Sequence, residues 1–278
     1  MPLTSFQTRV LRTLAAARTE DSYFGGGAVL NADGLRVSKD FDIFHDKAEK
    51  LLQAVAADEA ALRSAGLSIA WKIRQPTMYR GVIQGGADAL LLDWAVDSDF
   101  RFFPIEKDPQ FGYRLHPVDI ATNKLLAAVG REEPRDIVDV MQLHHRLIPL
   151  GAMAWAAAGK DPGLTPKFIL EELKRASRYQ QSDLDGLNMK IPISVKDLSL
   201  FLRSAGRQAK DWISRMPPEE VGRVYIDARS KFVQHNPKRP DEVTAHAGSR
   251  GGHWPSNSTL LSLMLQQQIG EDEERGER

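Results

Sequence analysis

The chain has 278 residues, a formal net charge of zero, 42% hydrophobic and 27% charged residues, the composition of a soluble globular protein with room for one large or two modest cores. It has no cysteine, which excludes disulfides, thiolate metal sites and cysteine nucleophiles, and its balanced charge gives no global pull towards nucleic acid or membrane. No apolar run approaches the roughly 20 residues that span a bilayer, and Arg9 and Arg12 interrupt the N-terminal stretch, so a cytoplasmic protein with no membrane partner is expected.

Residues 4–18 place Phe6, Val10, Leu11 and Leu14 in the rhythm of an amphipathic helix, with Thr4 or Ser5 as its cap. The chain is organised around its next stretch, YFGGGAVLNADGLRVSKDFDIF from Tyr23 to Phe44. Gly25, Gly26 and Gly27 remove three side chains from a short segment and let backbone N–H groups approach a phosphate. The run 37–44 alternates as a strand does, so Asp40 and Asp42 share one face. Like charges so placed repel, and are tolerated at a solvated edge or where a cation neutralises them. A hard divalent ion such as Mg2+, which takes oxygen ligands and substrate phosphates, suits the pair. A glycine triplet alone reads as a turn, and two alternate aspartates alone as an exposed strand end; together, in this order, they suit a metal-bound nucleoside triphosphate.

Residues 46–65 predict a strong helix with Leu51, Leu52, Val55 and Leu62 on one side, closed by Gly66. Strands are predicted over 67–73 and 78–83. Gly85-Gly86 then turns the chain into an apolar strand, 89–96, that carries Asp93. A carboxylate in an apolar strand needs a partner. If this strand lies beside the one bearing Asp40 and Asp42, three carboxylates converge; otherwise Asp93 only starts a loop towards Asp97 and Asp99.

Residues 115–147 predict a helix pair broken at Gly130, with Lys124 in the first helix and Arg135-Asp136 opening the second. Lys124 reads either as a phosphate-directed point charge or as a solvated helix lysine. His144 and His145 are adjacent, a spacing that argues against metal ligation from one helix face. Beyond residue 148 come an alanine-rich stretch, a helix over 166–179, a loop over 180–192, a helix over 195–216, and a further helix from Pro217-Pro218 through Val221, Val224, Tyr225, Ala228 and Phe232. Residues 160–239 hold 16 Lys and Arg against 10 Asp and Glu, an excess that either draws a polyanion or solvates helix surfaces. Residues 236–257 have linker composition, 258–269 predict a short apolar helix, and 271–278 a frayed end.

The order GGG, RVSKDFDIF, LLLDW and NKLLAAVGREEPRDIVDV resembles the AbiEii-type nucleotidyltransferases, toxins of type IV toxin–antitoxin pairs within the DNA polymerase β-like superfamily. The resemblance covers roughly residues 20–147. It implies an α+β fold, with a polymerase β-like domain of mixed sheet flanked by helices over 1–148; the residues beyond read by themselves as a helical domain over 149–235 and a linker and partly disordered tail over 236–278. It further implies transfer of a nucleoside monophosphate from a nucleoside triphosphate to an acceptor hydroxyl on tRNA or another RNA, with Mg2+ or Mn2+ as cofactor and a cognate antitoxin as partner. A small-molecule acceptor, or nucleotide binding without catalysis, are the alternatives. Carried onto this sequence, Asp40, Asp42 and Asp93 are the catalytic and metal-binding carboxylates, with two ions about 4 Å apart as in two-metal sites. Gly26, Gly27, Ser38, Lys124 and Asp136 serve the nucleotide, and Arg36 and Ser38 stand where the family has an arginine and a Ser/Thr. Ala28 departs from the family pattern, which has a hydroxyl residue near this point.

Overall fold

The computed structural model describes residues 3–32, 34–256, 261–262 and 264–265. Helix α1, Ser5–Ala15, starts in a capping box: Gln7 N donates to Thr4 Oγ1 and Thr4 N donates to Gln7 Oε1. Phe6, Val10, Leu11 and Leu14 are buried. Strand β1, Ser22–Gly25, runs directly into a one-turn helix α2, Gly26–Leu30. Strand β2, Asp40–His45, precedes helix α3, Ala48–Ser64, which ends before Gly66 at φ +71°. Leu51, Val55 and Leu62 of α3 are buried as expected, but Leu52 is 60% exposed, because a residue next to Leu51 is turned about 100° round the helix.

Strands β3 (Ser68–Gln75), β4 (Met78–Gly85) and β5 (Asp88–Val96) form an antiparallel meander. Three short strands, β6 (Phe100–Arg101), β7 (Glu106–Asp108) and β8 (Gly112–Arg114), lead to helix α4, Pro117–Gly130, and helix α5, Pro134–Arg146. The main sheet has the order β3-β4-β5-β2-β1-β8-β7. It is mixed: β2 lies parallel to β5 and β1 parallel to β8, the remaining neighbours being antiparallel. The core of this half joins α1, α3 and the sheet through Phe24, Phe41, Ile43, Leu92 and Trp94, all with no exposed surface.

The remaining helices are α6 (Leu150–Ala157), α7 (Pro166–Leu173) followed by a 3-10 turn over Lys174–Arg178, α8 (Gln181–Asp185) and α9 (Val195–Ile213). They share a second apolar cluster with α4 and α5. The stretch expected to be helical from Pro217 is not. Only Pro218–Glu220 makes a 3-10 turn; Gly222 then takes φ +88°, and β9, Arg223–Asp227, comes directly after it. Its partner, β10, Val243–Ala247, comes from the stretch read as linker, and β11, Ser249–Arg250, pairs with β6. The described C-terminal residues are therefore helices closed by a two-stranded clasp. Within the expected helix 258–269, residues 261–262 and 264–265 are helical; residues 271–278 lie outside the described residues. No helix among the described residues is long and apolar enough to cross a membrane.

Candidate active site

Three adjacent strands of the sheet, β5, β2 and β1, bring Asp93, Asp42 and the glycine segment together. In the parallel pair β2/β5, Asp42 stands opposite Asp93, and in the antiparallel pair β1/β2 it stands opposite Gly25. Along β2, Asp40, Asp42 and Phe44 share a half-buried face, of which Asp42 and Phe44 line a cleft, while Phe41, Ile43 and His45 face the core. The cleft, of about 650 Å3, is lined by Gly26, Asp42, Asp93 and Lys124 among the expected residues, with Arg80 and Arg131 beside them.

Asp42 sits on the floor. Its carboxylate accepts no hydrogen bond from any described residue; burial, then Asp40, and to a smaller extent Asp93 push its pKa up to about 6 against the pull of Lys124 and Arg131. Asp40 shows the opposite balance. Burial raises it, but Arg135 Nη1 at 2.8 Å and Ser38 Oγ at 2.9 Å hold its carboxyl below the usual range. Asp93 is gripped by Arg80 at both oxygens, 2.7 and 2.6 Å. Two of the three carboxylates thus carry guanidinium partners, and no group of three or more His, Asp or Glu is close enough to hold a metal ion among the described residues. The bare, protonation-prone carboxylate of Asp42 between two like charges nonetheless has the donor chemistry that a hard cation satisfies.

The glycines are fitted to these acids. Gly26 has φ +66°, and a Cβ there would lie 1.9 Å from Asp42 Oδ2; a Cβ on Gly27 would meet Ser38 Oγ at 2.9 Å and Arg36 Nη2 at 3.0 Å. Gly26→Ala is expected to cost about 1–2 kcal/mol through the left-handed backbone alone and to push the Asp42 carboxylate aside. A drop in melting temperature accompanied by loss of nucleotide binding checks this; unchanged binding would refute the fit.

Lys124 does not point freely into the cleft. Its ammonium lies 3.2 Å from Asp136 Oδ1 and 3.4 Å from Asp139 Oδ2, and it is 7% exposed. Asp136, wholly buried, also takes Arg131 Nε at 2.7 Å, so its oxygens reach cations on α4 and the turn after it instead of the cleft itself. Asp139, equally buried, holds Arg36 through two nitrogens at 3.1 and 2.9 Å. The aspartates of α5 therefore act as an anionic rack that sets Lys124 and Arg131 along one wall and holds the buried Arg36 beside Gly27. Arg36 gains further fixation because its segment pairs with 188–190: Val37 N donates to Asn188 O and Lys190 N donates to Leu35 O.

Sequence reasoning brought out the carboxylates but not Arg80 and Arg135 as their partners, nor Asp139 as the acceptor for Arg36 and Lys124. Arg80 was findable, since it lies two residues after Met78 on the alternation of β4, one strand from Asp93. His144 and His145 lie in a separate cavity with Arg146 and Trp254.

Neither a family model nor a curated protein sequence matches the chain. Among solved structures, MenT4, a nucleotidyltransferase toxin from Mycobacterium tuberculosis H37Rv, is similar with a TM-score of 0.56 over 77% of this chain and 83% of that one, at 15% identity. The chain has the polymerase β-like nucleotidyltransferase fold. The RNA terminal uridylyl transferase Cid1 was also found, at 11% identity over 95% of this chain and 84% of that one, but its TM-score of 0.28 carries no structural argument. In this fold the cleft beside Gly26 is the place where β2, β4, β5, the first residue of α2 and α4 meet.

Proposed function

We propose that the chain is a metal-dependent nucleotidyltransferase that moves a nucleoside monophosphate from a triphosphate to an acceptor hydroxyl on RNA, tRNA foremost, as an AbiEii-type toxin of a type IV toxin–antitoxin pair. The observation that carries this reading is the register that sets Asp42 opposite Asp93 beneath the positive-φ glycine that opens α2. MenT4, similar in fold, is itself described as a nucleotidyltransferase toxin. Residues 1–148 carry the chemistry in this reading, and residues 149–235, basic on balance, face the RNA.

Asp42, the one of the three carboxylates with no guanidinium partner, would anchor a divalent cation, with Asp40 and Asp93 joining it once Arg135 and Arg80 turn to the triphosphate; when bound, the cation would neutralise triphosphate charge and polarise the phosphoryl oxygens. Gly26 and Gly27 leave room for phosphate oxygens to approach backbone N–H groups. Lys124 and Arg131, held by Asp136, present positive charge to the phosphates without needing to be reorganised during the step. Arg80 and Arg135 balance Asp93 and Asp40 until the triphosphate enters, then have its oxygens as competing partners. The acceptor oxygen attacks the α-phosphorus, its proton passes to a carboxylate of the cleft or to water, and pyrophosphate leaves.

Incubation of the purified chain with labelled triphosphates, Mg2+ and total RNA is expected to label RNA, with a chelator abolishing the signal; label entering only small acceptors would replace the RNA assignment. The guanidinium grip on Asp93 and Asp40 favours one other reading, a nucleotide-binding protein without turnover. Thermal stabilisation by Mg-nucleotide with no transfer to any acceptor would establish it.

A further inference from the structure

The wall of the cleft opposite the carboxylates is the face of α4 that carries Ile120, Asn123, Lys124, Ala127 and Arg131's neighbour Gly130, at the three- and four-residue spacing of one helix side. Most of that wall is apolar, with Leu115, Ile120, Leu126 and Ala127 contributing, and so suits a flat ring. Asn123 is its polar member. An asparagine amide has an accepting and a donating end, and which end faces a ligand is ordinarily open. Here a neighbour decides it. Lys160 Nζ lies 2.9 Å from Asn123 Oδ1, and an ammonium only donates. The carbonyl end is therefore committed to Lys160, and the NH2 end has no hydrogen-bond partner among the described residues.

Lys160 is itself fixed. It is 2.8 Å from Asp119 Oδ1 and 5.7 Å from the centre of the Phe102 ring. Asp119 is wholly buried and accepts the backbone N–H groups of Phe102 at 2.9 Å and Phe103 at 3.1 Å. Asp119 and Asn123 thus lie one turn apart on α4, Lys160, three residues beyond α6, bridges them, and the bridge is anchored to the loop after β6 through Asp119; its last member, Asn123, presents a pair of donors.

We propose that Asn123 reads the base of the incoming triphosphate and selects one that offers a carbonyl oxygen, with Lys160 as the positioning residue that fixes the amide. This rests on the nucleotidyltransferase reading of the same cleft. Cytosine, uracil and guanine each carry a carbonyl oxygen; adenine carries ring nitrogens and an amine, and leaves the Asn123 donors facing no carbonyl. A site built to donate to a substrate oxygen discriminates against the analogue without it, because its polar group then goes unpaired.

The test uses the full chain with Mg2+ and each of CTP, UTP, GTP and ATP, measuring binding by calorimetry and transfer to RNA by initial rates. ATP is expected to be disfavoured by about tenfold or more in both. Asn123→Asp, which replaces the donors by an acceptor, is expected to move the preference towards ATP, whose base has an exocyclic amine to donate and no carbonyl oxygen to be repelled. Lys160→Met frees the amide to turn and is expected to bring ATP to within about threefold of the others through KM, with kcat held; Lys160→Arg, which still donates, is expected to keep the selection. Equal binding and use of all four triphosphates by the unaltered chain, or an unchanged ranking in Asn123→Ala, would overturn the inference and leave the transferase reading standing. Selective binding with no transfer would keep the inference and remove that reading, and no binding of any triphosphate would remove both.

Discussion

Asp42→Asn is expected to lose nucleotide transfer by about 10^3-fold and, in the same molecule, to gain thermal stability at pH 8. The loss follows from the position of the side chain, which stands between Asp40 on its own strand and Asp93 across the parallel pair, and which accepts no hydrogen bond from any described residue. The gain follows from its proton. Burial and the two neighbouring carboxylates raise its pKa from 3.8 to about 6, so the folded protein binds this proton more tightly than the unfolded chain does. The group's stabilising contribution is full below the unfolded value, falls as pH rises from there, and is gone above the folded value. In the presence of a chelator, the melting temperature of the unaltered protein should therefore drop more between pH 5 and pH 8 than that of Asp42→Asn, whose amide never ionises. Adding Mg2+ should close the gap at pH 8, because a bound cation favours the carboxylate. Parallel pH curves for the two proteins would show that Asp42 is solvated and unstrained, and retained transfer would remove it from the chemistry.

Asp58→Ala is expected to lower stability by about 3–5 kcal/mol, the cost of leaving a buried charge without its partner. Asp58 lies on the inner face of α3 with no exposed surface. One of its oxygens pairs with Arg18, which is also buried, and the other takes the indole N–H of Trp94 at 2.8 Å. Arg18 Nε is tied in turn to Leu14 O at 3.2 Å. A single carboxylate thus fastens the end of α1 and the middle of α3 to β5, at the residue next to Asp93. The urea midpoint measures the loss, and the double change Arg18→Leu with Asp58→Ala should recover part of it, since the orphaned guanidinium is then gone. A loss below about 1 kcal/mol would mean that water replaces the partner and that the pair is not closed off.

The half of the molecule that carries the cleft was largely legible. The capping residues of α1, the alternation of β2, the alanine-rich α3 and its closing glycine, and the Lys124 and Arg135-Asp136 helices all carry local signals that their own packing satisfies. Asp93 could be flagged as a carboxylate in an apolar strand, yet only strand pairing shows that its register partner is Asp42 on one side and Arg80 on the other. The guanidinium partners were missed for the same reason: salt bridges between residues 95 apart, as for Arg135 and Asp40, leave no periodic trace.

The helix expected from Pro217 failed for a different cause. Pro217-Pro218-Glu-Glu is a sound start signal, and Val221, Val224, Tyr225, Ala228 and Phe232 fit a helical spacing, but Val224, Tyr225 and Ile226 are consecutive and all buried. Buried on both faces and paired with β10, that triplet is a short core strand, a case in which periodicity alone does not separate the two structures. Its partner sat in a stretch whose Pro, Gly and polar content reads as linker, and a distant pairing partner overrode that composition.

The clasp also sets an order of assembly on a chain that leaves the ribosome N-terminus first. Phe102 O receives the ring nitrogen of His246 at 2.7 Å and the backbone N–H of His253 at 3.3 Å, and β6 pairs with β11. The segment that carries the sheet into α4, and with it the backbone that grips Asp119, gains these partners only once residues 246–253 have been synthesised. The nascent protein can build its acidic floor early, but the frame behind the opposite wall is locked only after residue 253 has been added.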